Sequence, residues 1–188
     1  MNQILHLDNS LLINEGATRR CYRHPNDENK CLKIEKRHEP TNGHDLESYN
    51  AVKSILSQYI AIYDEKLVDT NLGKALACEF IRDSDGQPAQ SFADYRQTRI
   101  TNQQLIDQFL DLFDLLQKNG LFFYDFNPKN FIVQRTKNGE HLKYTDLKSL
   151  GKTKTVLALE RMPYFARKKL KRRIRRFIKR FLSPAEIK

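Results

Sequence analysis

The dipeptide Asn138-Gly139 stands between two extended, β-prone runs, Phe131 to Arg135 and His141 to Thr145. Asn-Gly between such runs is the strongest short-range hairpin signal, because both residues tolerate the positive φ that a tight two-residue turn demands. With Asn138 and Gly139 as the central turn residues, Phe131 falls opposite Asp146 and Asn130 lies beside that pair. A carboxylate and an amide oxygen are thereby expected at one end of the hairpin, where opposite residues sit about 5 Å apart. Two oxygen donors at that spacing suit a hard divalent ion such as Mg²⁺. Asp125 opens the polar loop Asp125-Phe126-Asn127-Pro128-Lys129-Asn130 and is expected to project towards the same spot. A carboxylate beside a metal-bound phosphate is where a general base for a hydroxyl nucleophile belongs.

Upstream, the chain changes character once. Leu11 to Ile13, Cys21 to Arg23 and Lys30 to Ile34 read as short strands separated by turn-forming residues, an antiparallel meander. Residues His44 to Tyr59 carry Leu46, Tyr49, Val52, Ile55, Leu56 and Tyr59 at near-helical spacing. Ala61 to Tyr63 and Lys74 to Phe80 read as further strands around the turn Asn71-Leu72-Gly73. The segment Asp83-Ser84-Asp85-Gly86-Gln87-Pro88 is dense in turn formers and reads as the main boundary. Beyond it, Thr101 with Gln104 reads as a capping box, Leu105, Ile106, Phe109, Leu112, Phe113 and Leu116 as one buried helical face, and Asn119-Gly120 as the stop. The expected units are residues 1–81, 82–160 and 161–188.

The formal charge of +10, from 33 Lys and Arg against 23 Asp and Glu, is confined to the third unit. Arg161 to Leu182 holds 11 bases and no acid, so the rest is near neutral. At helical spacing Leu170, Ile174, Phe177, Ile178 and Phe181 form an apolar stripe flanked by bases, with Pro163 suited to a first turn and Ser183-Pro184 to a stop. Such a helix docks its stripe on the body of the protein or lies on an anionic membrane surface, and the two can coexist. Nucleic acid is the poorer fit, because the stripe would then lack a partner.

Other classes drop out on composition. No apolar run approaches the roughly 20 residues that span a bilayer, and Met1 to Asn14 lacks the pattern of a signal peptide. Cys21, Cys31 and Cys78 are odd in number and without C-x-x-C spacing, so neither a disulfide framework nor a zinc site is expected, and a reducing cytoplasmic setting fits. The five histidines show no i, i+4 pairing of the kind zinc hydrolases use.

The run Asp125 to Asn130 resembles the D-x-x-x-x-N catalytic loop of protein-kinase-like proteins, and Asp146 the Asp of their D-F-G position. Cys31-Leu32-Lys33-Ile34 resembles the strand that bears the phosphate-pairing lysine. Strand alternation puts Cys31 and Lys33 on one face, with Leu32 and Ile34 on the other. The stretch Gly16 through Lys33, with Arg20-Cys21-Tyr22-Arg23-His24-Pro25, resembles the YrbL family, kinase-like proteins of the bacterial PhoP regulatory network. Asp85-Gly86-Gln87-Pro88, Asn127 to Asn130 and the basic tail extend the likeness over nearly the whole chain.

The resemblance implies an α+β, small two-lobed protein-kinase-like fold with a truncated C-lobe and a basic amphipathic C-terminal helix, in a cytoplasmic protein tied to envelope-stress signalling. It implies ATP and Mg²⁺ as cofactors. Gly16, Cys31, Lys33 and Glu47 would bind nucleotide, with Glu47 orienting Lys33 and with Glu35 and Glu39 as alternatives for that role. Asn130 and Asp146 would hold the metal, and Asp125 would serve a small hydroxylated acceptor, a sugar or lipid head group at the inner membrane surface. The alternative is a kinase-like binding module without turnover that docks a lipid surface or a protein partner through the basic C-terminal helix. Departures from the protein-kinase pattern are a single loop glycine, Gly16, Lys148 where a glycine follows Asp-Phe, and Tyr124 before Asp125.

Overall fold

A computed structural model describes residues 4–36, 41–121, 125–149 and 163–182. Strands β1 (Leu12–Glu15), β2 (Arg19–His24) and β3 (Asp27–Glu35) form the expected meander, followed by helix α1 (Thr41–Leu56) and strands β4 (Val68–Thr70) and β5 (Gly73–Glu79). The strand order in this antiparallel sheet is β1-β2-β3-β5-β4. One face packs Tyr22, Leu32, Ile34, Ala75 and Ala77 onto Leu7. The other face, with Cys31, Leu76 and Cys78, belongs to the main core. Ala61 to Tyr63 does not form a strand; Tyr63 makes only an isolated bridge to Cys78.

The chain continues through β6 (Gln90–Ser91), α2 (Phe92–Thr98), α3 (Gln103–Lys118), β7 (Phe131–Thr136) and β8 (Gly139–Tyr144). The turn-rich segment after Ile81 is an anchored turn rather than a loose linker. Asp83 is buried, and its carboxylate accepts from the Arg135 backbone N–H at 2.7 Å and from Arg135 Nε at 2.6 Å. Helix α3 is capped by Asn102, whose side chain accepts from the Leu105 N–H. The Thr101–Gln104 box does not form, because Gln104 is drawn to the hairpin, where Glu140 N–H donates to its Oε1. Gly120, at φ +63°, ends the helix as expected.

The hairpin forms with its register moved by two. Thr136 pairs with Gly139 and Phe131 with Tyr144, so Lys137 and Asn138 make the turn. Gly139 follows at φ +115°, while no non-glycine residue described has positive φ. Asn138 therefore does not take the left-handed conformation of a two-residue Asn-Gly turn; Gly139 alone takes it, one place later. An even shift keeps every side chain on its expected face.

Helix α4 (Pro163–Phe177) ends in a π-helical turn, Ile178–Leu182. Its apolar stripe is spent on the body: Leu170, Ile174, Phe177 and Leu182 are all buried in the main core. The Phe177 ring lies 5.2 Å from Phe109, 5.6 Å from Phe113 and 5.4 Å from Phe131, centroid to centroid. Ile178 and Phe181 are half-buried against the same core, while Lys168, Lys171, Arg172, Arg175, Arg176 and Lys179 face solvent. No described helix is long and apolar enough to cross a membrane. One core runs from β3 and β5 through α1, α3 and the hairpin to α4.

Candidate active site

Lys33 sits on the face of β3 that looks into the main core, two residues from buried Cys31. Its ammonium donates to the Tyr63 hydroxyl at 2.8 Å and to the Thr145 carbonyl at 2.9 Å. The carboxylate facing it is Asp45, with Oδ2 at 3.7 Å. Glu47 does not orient Lys33. Helix α1 buries Asn42, Asp45, Tyr49, Val52 and Leu56, one stripe at helical spacing. At 3.6 residues per turn Glu47 lies about 200° round from Asp45, and it is exposed. Glu35 is also taken: it accepts from the Thr41 hydroxyl at 3.0 Å and the Asn42 N–H, tying down the start of α1. Glu39 lies outside the described residues.

Asp45 is fully buried and holds more than Lys33. Arg19, at the start of β2, pairs with Asp45 Oδ2 and reaches Asp146 Oδ1 at 3.4 Å. The Lys148 backbone N–H donates to Asp45 Oδ1, and the Lys148 ammonium lies 4.0 Å from Asp146 and 3.1 Å from the Thr18 hydroxyl. Three cations thus surround two carboxylates, a balance that leaves positive charge for an anion such as a phosphate chain. Burial by itself would lower the Lys33 pKa, but Tyr63, Cys78 and Asp45 raise it above the ordinary lysine value. Burial also holds the Tyr63 phenol protonated. Asp146 titrates above its ordinary value, pushed up by burial and by Asp45 against the pull of Lys148, Arg19 and Lys33.

The second half of the site is the polar loop. Asp125 is exposed. Its Oδ1 accepts from Asn127 N–H at 3.0 Å and its Oδ2 from Asn130 Nδ2 at 3.1 Å. Pro128 opens a single 3-10 turn, Pro128–Asn130, that delivers Asn130 to the start of β7. Thr145 N–H donates to the Asn130 carbonyl at 3.0 Å, so Asp146 follows the residue hydrogen-bonded to Asn130. Asn130 and Asp146 come to neighbouring backbone positions despite the altered register. Gly16 lies in the short β1–β2 turn, where its N–H donates to the Arg19 carbonyl at 2.8 Å. Its φ is unremarkable and an added Cβ would meet only an ordinary contact, so the turn does not demand glycine. Tyr124 is outside the described residues.

Among the described residues no group of three or more His, Cys, Asp or Glu could hold a metal. The donor set of Asn130 and Asp146 nonetheless fits Mg²⁺, which is held by one or two protein oxygens together with substrate phosphates and water. Arg19, Asp45, Tyr63 and Thr145 were not legible as site residues from spacing alone. The usable signal for Asp45 was the apolar stripe of α1, which reaches that position one turn before Tyr49.

No curated protein matches the chain. Among solved structures, the chain is similar to one titled "Crystal structure of monomeric WbdD", with a TM-score of 0.56 and 16% identity. The match covers 90% of this chain and 38% of the WbdD chain, a likeness of fold alone that says nothing of activity. The family model described as PhoP regulatory network protein YrbL matches residues 5–182, almost the whole of the described structure, and the chain belongs to that family.

Proposed function

We propose that the protein is a kinase-like, Mg²⁺-dependent phosphotransferase that moves a phosphoryl group from ATP to a small hydroxylated acceptor. The observation that carries this reading is the Lys33 ammonium, held at once by Asp45 and by the carbonyl of Thr145, the residue before Asp146. Positions far apart in sequence converge there in the arrangement that phosphoryl transfer needs: a fixed cation beside a candidate metal carboxylate.

In this reading Lys33 pairs with the α and β phosphates and Asp45 orients it. Cys31 and Gly16 border the nucleotide, the one as a small apolar wall and the other as part of the β1–β2 turn. Asn130 and Asp146 would hold Mg²⁺, which supplies charge neutralisation at the transferring phosphate. Asp125, exposed and anchored at both oxygens by Asn127 and Asn130, receives the acceptor's proton. Residues 1–81 and 82–160 would act as the two lobes around the nucleotide. The outward basic face of α4 would hold the protein at an anionic inner-membrane surface by charge alone, each base near such a surface contributing about 1 kcal/mol.

A second reading, a nucleotide-binding module without turnover, is favoured by one observation: Arg19 and Lys148 both lie against Asp146. Calorimetric titration with ATP, with and without Mg²⁺, on the wild type and on Lys33→Ala and Asp146→Asn, tests the site. Metal-dependent binding by the wild type, lost in both variants, is expected. Absence of binding by a folded protein would overturn both readings. Asp125→Asn separates them, since it should leave ATP binding intact and abolish ATP turnover in the presence of an acceptor.

A further inference from the structure

All three cysteines converge on the Lys33 face of the sheet. Cys21 stands opposite Lys33 in the β2–β3 register, and Cys31 stands opposite Cys78 in the β3–β5 register. Residues opposite one another or two apart on a strand share a face, so the thiols form a row across three adjoining strands. The Sγ atoms of Cys31 and Cys78 are 3.4 Å apart. A soft-metal centre is not what the row makes, since no metal-holding group of three such side chains occurs among the described residues. What remains for two thiols in contact is oxidation.

We propose that Cys31 and Cys78 form a redox-sensitive dithiol, converted by a hydroperoxide into a disulfide that staples β3 to β5, with Cys21 left as a free thiol. Directly paired residues on antiparallel strands have Cα atoms about 4.5–5.5 Å apart, inside the range that a disulfide spans without backbone movement. The roles of the two thiols follow from their surroundings. The Cys31 thiol donating to Cys78, and then the Lys33 ammonium, bring Cys78 down to about 7 against the effect of burial. Hydrogen bonds to Cys21 and Cys78, together with burial, push Cys31 up. Cys78 is therefore the thiolate and Cys31 the resolving thiol.

In the first step the Cys78 thiolate attacks one peroxide oxygen and the O–O bond breaks; with a proton from solvent this gives a sulfenic acid and one water or alcohol. In the second, the Cys31 sulfur attacks that sulfenic sulfur, the S–O bond breaks, and the Cys31 proton leaves with the hydroxyl as water. Two thiols are oxidised and one hydroperoxide is reduced. Cys31 and Cys78 are buried while Cys21 is half-buried, so the row opens at its Cys21 end. Hydrogen peroxide, close to water in size, can enter where a bulky reagent cannot.

The proposal is independent of nucleotide binding and is tested on the full chain. The folded protein is treated with hydrogen peroxide, alkylated under denaturing conditions, and mapped by mass spectrometry before and after dithiothreitol. The expected product has lost two hydrogen atoms, carries a Cys31–Cys78 linked peptide and an alkylated Cys21, and reverts with dithiothreitol. A Cys21→Ser variant should give the same linkage. In untreated folded protein, a bulky aromatic disulfide reagent should label Cys21 ahead of the other two. A disulfide joining Cys21 to either partner, or oxidation of Cys21 with Cys31 and Cys78 both still alkylatable, would overturn the proposal.

Discussion

Asp146 is the residue at which the demands of the site and of the fold diverge most clearly. Burial and the neighbouring Asp45 raise its pKa in the folded protein, so the fold binds that proton more tightly than the unfolded chain does. The stabilising contribution of such a group is complete below the ordinary carboxylate value of 3.8 and is lost as the pH rises through the raised folded value. At neutral pH the ionised side chain is a net cost to the fold. Asp146→Asn should therefore raise the Tm at pH 7, and thermal melts across a pH series should show the difference shrinking as the solution becomes acid. A lowered Tm at neutral pH would mean that the pairs with Arg19 and Lys148 outweigh burial. The same residue illustrates what sequence reading reaches. Its chemistry was legible from its place after the hairpin, but Arg19 was not, because nothing near Arg19 in the sequence marks it as facing Asp45.

The hairpin and α1 show how far spacing carries an argument about elements. Face assignment survived in the hairpin because strand periodicity is two and the register moved by two. The turn differs from the one Asn-Gly predicts because the dipeptide admits a second solution, a turn at Lys137-Asn138 followed by glycine alone at positive φ. In α1 the helix was legible but its polar buried face was not, since Asn42 and Asp45 are buried for their hydrogen bonds and charges, a property that hydrophobic patterning does not register. Gly139 supplies the test at this scale. A Cβ there would lie 2.6 Å from Gln104 Oε1 and would be held at φ +115°. Gly139→Ala is expected to cost about 1–2 kcal/mol for the left-handed backbone, measured by urea unfolding. Because the Gln104 amide is the end of a flexible side chain, adding Gln104→Ala should recover little of that loss. Full recovery would show that the clash, rather than φ, had set the cost.

Across the whole molecule, the fate of the basic helix decides how much of the protein is one unit. Charge pattern alone left α4 with two destinations, and the apolar stripe takes the inner one. Phe177 fills the centre of a ring of aromatic side chains that includes Phe92, Phe109, Phe113, Phe126 and Phe131. Phe177→Ala should lower stability by about 3–5 kcal/mol, the usual consequence of emptying a buried phenylalanine site, with loss of the near-ultraviolet circular dichroism of the packed rings. A change below about 1 kcal/mol would indicate that the helix is peripheral to the core. There is also a consequence for how the protein is made. Ribosomes add about 5–20 residues per second, and Phe177 is synthesised after all five of these rings. For several seconds a nascent chain therefore carries its aromatic pocket open to water, until its most cationic segment arrives to close it. That interval is when a holdase chaperone would have something to grip.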